Sequence, residues 1–585
     1  MAAFALLVPA WAASARPNAA AYLISDFEGA AALEGWRAEQ AALSVGPGHR
    51  GQGAVLSYSF ACGRAEECGP ASAAWQASPP LPKMHNPAID LWLKPGGEVD
   101  VVLQVKDLSG ETLRLPVTAT LEYPQPAGWQ HAVLPLESES VKLKGRLAEV
   151  ALLVRPRFRL RLEGSIAFDE VRLVESPDVF RMDASAVTEP PARESADLAS
   201  RLGVNIHLLR DDAALDAARA AGFAFVRMDL QWSEVERRGR FRFFAYDALL
   251  RALEVRGMWA LWILDYGHPE HGGSVPRTAQ DVAAFGRFAE AAAEHFKGRN
   301  ARYEIWNEPD TNQFWAPSPN AAEYRALLRE AVTAIRRADP VAQISSGGVS
   351  RFDAPFLSRA LDPSLAASLT AVGIHPYRRS TPEAVAPELA LFREWAALAL
   401  GEGVQVWDTE WGYSSADAVK DVVANGHSAA ARKRQAVMAA RELLTLRAVG
   451  LPLAVWYDLR DDGQDQRNPE HNYGLLDADG NEKPALAAIR NLAHLAQNRK
   501  YAGMLRAAPP GMHAMRFEGA ADIAMVVWTD RPTGRRSVEF STRDLVSATD
   551  VLGGAVQWKD RGSGRAEMQI DASGGPVCLL WNGGS

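Results

Sequence analysis

Two glutamates end short apolar runs in the middle of this chain: Glu308 in Tyr303-Glu304-Ile305-Trp306-Asn307-Glu308-Pro309-Asp310, and Glu410 in Val406-Trp407-Asp408-Thr409-Glu410-Trp411-Gly412-Tyr413. Cutting an acetal such as a glycosidic bond needs two carboxyl groups on opposite sides of one carbon. One gives a proton to the leaving oxygen, and the other bears or stabilises the developing positive charge. Carboxylates so far apart in sequence must be delivered by separate strands.

Both runs read as strands. Ala301 to Trp306 is short, apolar and aromatic, and follows a helix-like segment, Asp281 to Lys297, that stops at Lys297-Gly298. Pro309 forbids further ladder pairing, which puts Glu308 at the carboxyl end of its strand. The same alternation predicts strands at Val204 to Leu209, Phe223 to Leu230, Trp259 to Tyr266, Arg302 to Trp306, Ala342 to Ser346, Ala371 to Tyr377, Val404 to Thr409 and Leu453 to Leu459. Helix-period segments lie between them: Asp212 to Ala221, Ala321 to Ala338, Ala386 to Leu398, Arg432 to Ala448, and a last one, Pro484 to Gln497. Eight such units over about 300 residues predict an α/β fold, a closed (β/α)8 barrel over 201–498, with chemistry at the strands' carboxyl ends. Both glutamates fall there, on the fourth and seventh strands.

Asn307-Glu308-Pro309 on strand four with Thr409-Glu410 on strand seven resembles the clan A glycoside hydrolases, and in detail family 39 and its relatives that cleave bacterial exopolysaccharides. Ile374-His375-Pro376-Tyr377, Trp411-Gly412-Tyr413-Ser414-Ser415 and Asn472-Tyr473-Gly474-Leu475-Leu476-Asp477 add to the likeness, which spans Val204 to Gln497. The resemblance implies that Glu308 is the general acid/base and Glu410 the nucleophile of a retaining double displacement, with the carboxyls about 5 to 5.5 Å apart. It implies that Asn307 bonds the sugar 2-hydroxyl and that Arg227 pairs with Glu410 to keep it ionised. Tyr377 then donates to Glu410, His375 supports the acid or lines the cleft, and Trp456 is the floor for the reacting ring. Asp265, Tyr266, Trp232 and Trp411 are further candidates for sugar contact. Glu304 reads as a buried partner of the barrel, not a catalyst.

Other motifs read as structure. His268-Pro269-Glu270-His271 has metal-like spacing but no third ligand, and a polar lining of the cleft suits it better. Gly46-Pro47-Gly48-His49-Arg50-Gly51 matches the dinucleotide fingerprint, yet a strand-like run follows where a helix is required, so it reads as a hairpin turn.

Before the barrel, 22–176 alternates strand-like runs (Ala54 to Phe60, Ile89 to Leu93, Val99 to Lys106, Ala132 to Leu136, Glu149 to Val154, Ile166 to Val174) with Gly and Pro turns, predicting an antiparallel β-sandwich. Its two ends resemble jelly-roll carbohydrate-binding modules, and that resemblance makes Glu28 and Asp169 candidate ligands of a structural calcium. Trp75, Trp92 and Trp129 are either a sugar platform or core. The Pro-containing stretch 177–200 reads as a linker, and 499–585 as a small β-sandwich.

A net charge of −8 argues against nucleic acid or an anionic membrane surface as partner. No internal stretch is long and apolar enough to span a bilayer. Residues 1–15 hold an apolar run ending in Ala13-Ser14-Ala15, read as a signal peptide although no basic residue precedes it, so export to the periplasm or beyond is expected. In an oxidising compartment Cys62 and Cys68 close a small disulfide loop, and Cys578, without an obvious partner, is expected to be buried. The sequence thus predicts an exported enzyme needing no cofactor for catalysis and acting on a polysaccharide from within the chain. An exo-acting β-xylosidase-like enzyme is the alternative, and a non-catalytic polymer-binding or export protein the rival from another class.

Overall fold

The computed structural model describes the chain apart from residues 1–20, 62–68, 85–86, 95–98, 118–127, 137–142, 144–145, 157–160, 176–178, 183–186, 188–200, 379, 417–424, 506–507, 510, 532–534 and 584–585. The expected signal peptide, the Cys62–Cys68 pair and most of the expected linker lie outside the described residues. Two compact units divide the chain, 1–178 and 179–585.

The first unit holds two antiparallel sheets. In one, Ala41–Pro47, Gln52–Ala61, Arg161–Glu175, Pro87–Lys94 and Gln130–Pro135 lie in that order, with Ala21–Ser25 paired to Arg161–Glu175. In the other the order is Trp36–Glu39, Ala71–Gln76, Leu147–Pro156, Val99–Asp107 and Thr112–Pro116. Alternation explains the packing: Val99, Val101, Leu103 and Val105 turn inward and are buried, and they join Leu56, Leu91, Leu93, Leu152 and Phe168 in one core. Pro47 pairs with Gln52 and Gly46 with Gly53, so the fingerprint-like segment is a hairpin turn.

Around that turn the two candidate calcium ligands serve backbone amides. Glu28 Oε1 accepts from Gln52 N at 2.7 Å, and Asp169 accepts from His49 N at 2.8 Å through one oxygen and from Glu170 N at 2.7 Å through the other. This geometry braces the turn. The three tryptophans do not form one platform. Trp75 packs against the core from the second sheet, whereas Trp92 on the first is stacked by His49 at 3.5 Å and by His131 at 4.9 Å, with Trp129 edge-on to His49.

In the second unit eight parallel strands close into a barrel: β1 (Leu202–Asn205), β2 (Phe225–Gln231), β3 (Trp259–Asp265), β4 (Ala301–Ile305), β5 (Ile344–Ser346), β6 (Ala371–His375), β7 (Gln405–Trp411) and β8 (Ala454–Trp456), with β8 paired back to β1. A two-residue strand, Val349–Ser350, continues β5 past Gly347-Gly348 and pairs with Ile374-His375. Thr278 caps Ala279–Phe296 and Asn320 caps Ala321–Ala338 with side-chain oxygens that accept from free amides, while Pro484, which has no amide hydrogen to satisfy, opens Pro484–Ala496. On Ala321–Ala338 the residues Leu327, Leu328, Ala331 and Ile335 face the barrel and are buried.

After the barrel, five antiparallel strands (Lys500–Met504, Met512–Glu518, Asp522–Thr529, Val577–Asn582, Leu545–Asp550) face a four-stranded sheet. Val527, Leu579, Val538, Phe540 and Met568 fill the space between them, and Cys578 is buried in the five-stranded sheet. The expected linker needs correcting here. Val179–Arg181 is a strand, paired in parallel with Ser537 to Glu539, and its Phe180 belongs to this core. The sandwich grips the barrel through Glu383, which accepts from Trp528 Nε1 at 2.7 Å and from Arg441 Nε and Nη2 at 2.8 and 2.7 Å.

Candidate active site

Alternation along the strands sorts the barrel's interior into layers. Phe225, Leu261, Ala371, Trp407 and Val455 make an apolar plug. Two positions further toward the carboxyl ends stand Arg227, Thr409 and Tyr457 on the same inward face. Arg227 is the hub. Its Nε and Nη2 grip Glu304 at 2.9 and 3.1 Å, Nη1 reaches Glu410 Oε2 at 2.6 Å and Asn205 Oδ1 at 3.2 Å, and Nη2 also reaches Asn307 Oδ1 at 2.8 Å. Burial works against its charge, but Glu304 and Glu410 outweigh burial and hold the guanidinium protonated more firmly than usual. Glu410 takes a second donor on its other oxygen, Tyr377 OH at 2.9 Å.

Glu308 has a different setting. His375, wholly buried, places Nδ1 2.9 Å from Glu308 Oε1, and its Nε2 lies 3.1 Å from Thr409 Oγ1. The Thr409 hydroxyl donates to Glu304 Oε1 at 3.1 Å. Burial opposes a charge on His375, but the negative charge of Glu410 and the bond to Glu308 raise its pKa overall. Space for this ring comes from Gly348, where a Cβ would sit 2.1 Å from His375 Nε2. The end of β4 is strained as well, since Trp306 and Glu308 have φ of +74° and +39°, a region non-glycine residues enter at a cost that functional sites tolerate. Two residues on, Asp310 accepts from Ser350 N, and burial, with Glu308's charge adding, pushes its carboxyl up to about 7.

Several expected sugar contacts need correcting. Trp232, Trp411 and Trp456 are 1% exposed or less, so none offers a ring face to solvent. For Trp456 the reason is phase: Val455 points into the barrel, so Trp456 points out toward the helices and Tyr457 points in. Tyr457 is half-buried and meets Tyr377 and Tyr473 edge-on, at 6.5 and 5.5 Å between centroids. Trp232 is held by His271, stacked at 4.9 Å, and by Phe285 and Phe288. Asp265 is fully buried and reaches no surface, whereas Tyr266 is half-buried, edge-on to Trp306 and stacked on Phe314. His268 accepts from Glu270 N and faces Glu236 O, as internal structure.

Tyr457, Tyr473 and Asp229 were not singled out from sequence. The available signal was two-residue alternation, from Arg227 to Asp229 and from Val455 to Tyr457. Among the described residues, His207, Asp458 and Asp462 bring ligand-type atoms within 4.8 Å of one another. His207 Nδ1 lies 2.7 Å from Asp462 Oδ1; burial disfavours its charge, but Asp462, Asp458 and Asp229 outweigh that and lift its pKa to about 9. In this structure the cluster is an ion pair of His207 with Asp462, with Asp458 3.8 Å from the same ring nitrogen.

Chemically, the arrangement offers one carboxylate fixed by a cation and a phenol, and a second that shares a proton position with an imidazole. Residues 196–444 match the family model described as Cellulase (glycosyl hydrolase family 5). Among solved structures, a family 39 glycoside hydrolase from the gut symbiont Bacteroides cellulosilyticus WH2 is similar at 19% identity and a TM-score of 0.56, covering 83% of this chain and 95% of that one. The GH39 enzyme from Xanthomonas axonopodis pv. citri aligns at 14% identity and a TM-score of 0.50, covering 70% and 97%. No curated protein matches.

Proposed function

We propose that this chain, a clan A glycoside hydrolase, is a retaining β-glycosidase that cleaves a polysaccharide by double displacement, with Glu410 as nucleophile and Glu308 as acid/base. The observation that carries the reading is the split in partners. Glu410 is bonded by a buried arginine and a tyrosine, both donors to a carboxylate, while Glu308 faces His375, with which it can exchange a proton.

In the first step Glu308 protonates the leaving oxygen while Glu410 attacks the anomeric carbon. In the second, Glu308 takes a proton from water as the glycosyl-enzyme is hydrolysed. Asn307, oriented by Arg227, is available to a hydroxyl beside the reacting carbon. Tyr457, bordered by Tyr377 and Tyr473, is the ring on which the sugar stacks. Internal cutting of a long chain, in an exported protein, is the mode favoured, with an exo-acting xylosidase-like activity as the second reading.

The test is a polysaccharide panel assayed with the wild type beside Glu410→Gln. Turnover should fall by about 10⁴-fold or more in the variant, as when other covalent nucleophiles are removed, with an unchanged circular dichroism spectrum. Retained hydrolysis removes Glu410 as nucleophile. A fall in polymer length early in digestion supports internal cutting, and monosaccharide alone overturns it.

A further inference from the structure

One pair of acidic groups in the barrel mouth is unused by this chemistry. On the inward faces of β2 and β3, Asp229 pairs in register with Ile263 and Gln231 with Asp265, so Asp229 and Asp265 are diagonal neighbours. The two carboxyl groups feel each other's charge: burial, and then the charge of Asp229, push the Asp265 carboxyl well above the ordinary carboxylate range. Asp265 has no solvent exposure, and among the described residues neither of its oxygens receives a hydrogen-bond donor. Asp229 is the partly exposed member, stands two residues beyond Arg227 on the same face of β2, and feels the charges of Arg227, His207 and Glu410.

Two neighbouring carboxyl groups this deeply buried are costly to ionise together, because burial leaves their repulsion poorly screened. One proton between them removes the conflict and leaves the partly exposed Asp229 with lone pairs able to accept a hydrogen bond. We infer that Asp229 and Asp265 share one proton and form a hydroxyl-reading wall of the reacting subsite, one that accepts an uncharged sugar and refuses a uronate. This rests on the glycosidase reading given above.

The refusal follows from what surrounds the pair. A sugar carboxylate at this wall meets Asp229, with Asp458 and Asp462 alongside His207. Arg227 offers no compensation, since its five N–H groups already have five acceptor contacts on Glu304, Glu410, Asn205 and Asn307. His207 is engaged by Asp462. An unpaired buried charge is the most expensive group a site can be asked to take, so the discrimination comes from repulsion as much as from fit.

Two measurements decide this. Infrared difference spectra of the resting enzyme, wild type against Asp265→Asn, should show loss of a protonated-carboxyl band; no difference overturns the shared proton whatever the enzyme hydrolyses. Steady-state kinetics on 4-nitrophenyl β-xyloside, β-glucoside and β-glucuronide should show turnover of a neutral glycoside and none of the glucuronide. Asp229→Ala should raise KM for the neutral glycoside about tenfold, the scale of a lost charge-assisted hydrogen bond, with kcat changed less. Asp265→Asn should recover most of what Asp265→Ala loses, because an amide donates where the acid did. Glucuronide turnover matching the glucoside, or an unmoved KM in Asp229→Ala, overturns the wall. If the wild type hydrolyses neither these glycosides nor any polymer, the glycosidase reading fails, and the infrared result alone then decides the proton sharing.

Discussion

His375 Nδ1 lies 2.9 Å from Glu308 Oε1, and the rest of the imidazole's bonding fixes what can pass between them. Glu304 is gripped by Arg227 and receives Gly348 N at 2.9 Å, so it acts as an acceptor, and the Thr409 hydroxyl proton points to it. Thr409 Oγ1 must then accept from His375 Nε2–H. Only Nδ1 is left to gain or lose a proton, and its partner among the described residues is Glu308. Acid and imidazole are therefore placed to pass a proton directly between them.

Replacing Glu308 with Ala should cripple hydrolysis of sugar–sugar bonds yet spare aryl glycosides with very good leaving groups, which need no protonation. The check is kcat/KM across leaving groups of graded acidity. An equal loss on both kinds argues against Glu308 as the acid.

Arg227→Met should destabilise the protein by about 3 to 5 kcal/mol, because it leaves Glu304 buried without its cation. Urea denaturation reads this. Activity should fall in parallel, since Glu410 and Asn307 lose the group that orients them.

Stability should also depend on pH through His207. Its folded pKa of about 9 lies above the ordinary 6.5, so the stabilisation is fully present below about pH 6.5 and is lost as pH rises through about 9. The stability gap between wild type and His207→Gln should therefore be widest in mild acid and close by about pH 10. Denaturation midpoints at several pH values test it, and a gap that widens upward in pH reverses the sign.

Tyr457→Ala should raise KM by an amount on the order of 1 kcal/mol while leaving the fold intact. Trp456→Phe should instead lower the unfolding temperature and leave KM alone. The two together test which residue of the pair faces the sugar.

That pair also marks where the sequence stopped being legible. All eight barrel strands and their order were readable, because short apolar runs alternate with longer helix-forming segments; Ala321–Ala338, capped and amphipathic, has the bounds read from its sequence. Phase within a strand was not. Parallel strands buried on both faces are apolar throughout, so nothing in Leu453 to Leu459 distinguishes the residue facing the barrel axis from the one facing the helices. Trp456 was therefore placed one residue out of register with the cleft, and Asp229, two positions beyond Arg227, went unnoticed. Strand ends misled for a related reason: β8 stops at Trp456 and β6 at His375, where the chain turns outward to build loops that no local pattern encodes. Val179–Arg181 was hidden because its partner lies more than 350 residues away and a three-residue strand has no period to read.

That short strand limits how the enzyme can be divided. The polypeptide is stitched into the last sheet before it enters the barrel and returns to that sheet after leaving it, while Trp528 and Arg441 clasp Glu383 between them. Severing the barrel at the boundaries suggested by its repeating units would strip Phe180 from its core and expose the clasp. No cut between the barrel and the trailing sheets leaves both intact, and moving the barrel into another protein must carry those sheets, with the strand at 179–181, as part of the cargo.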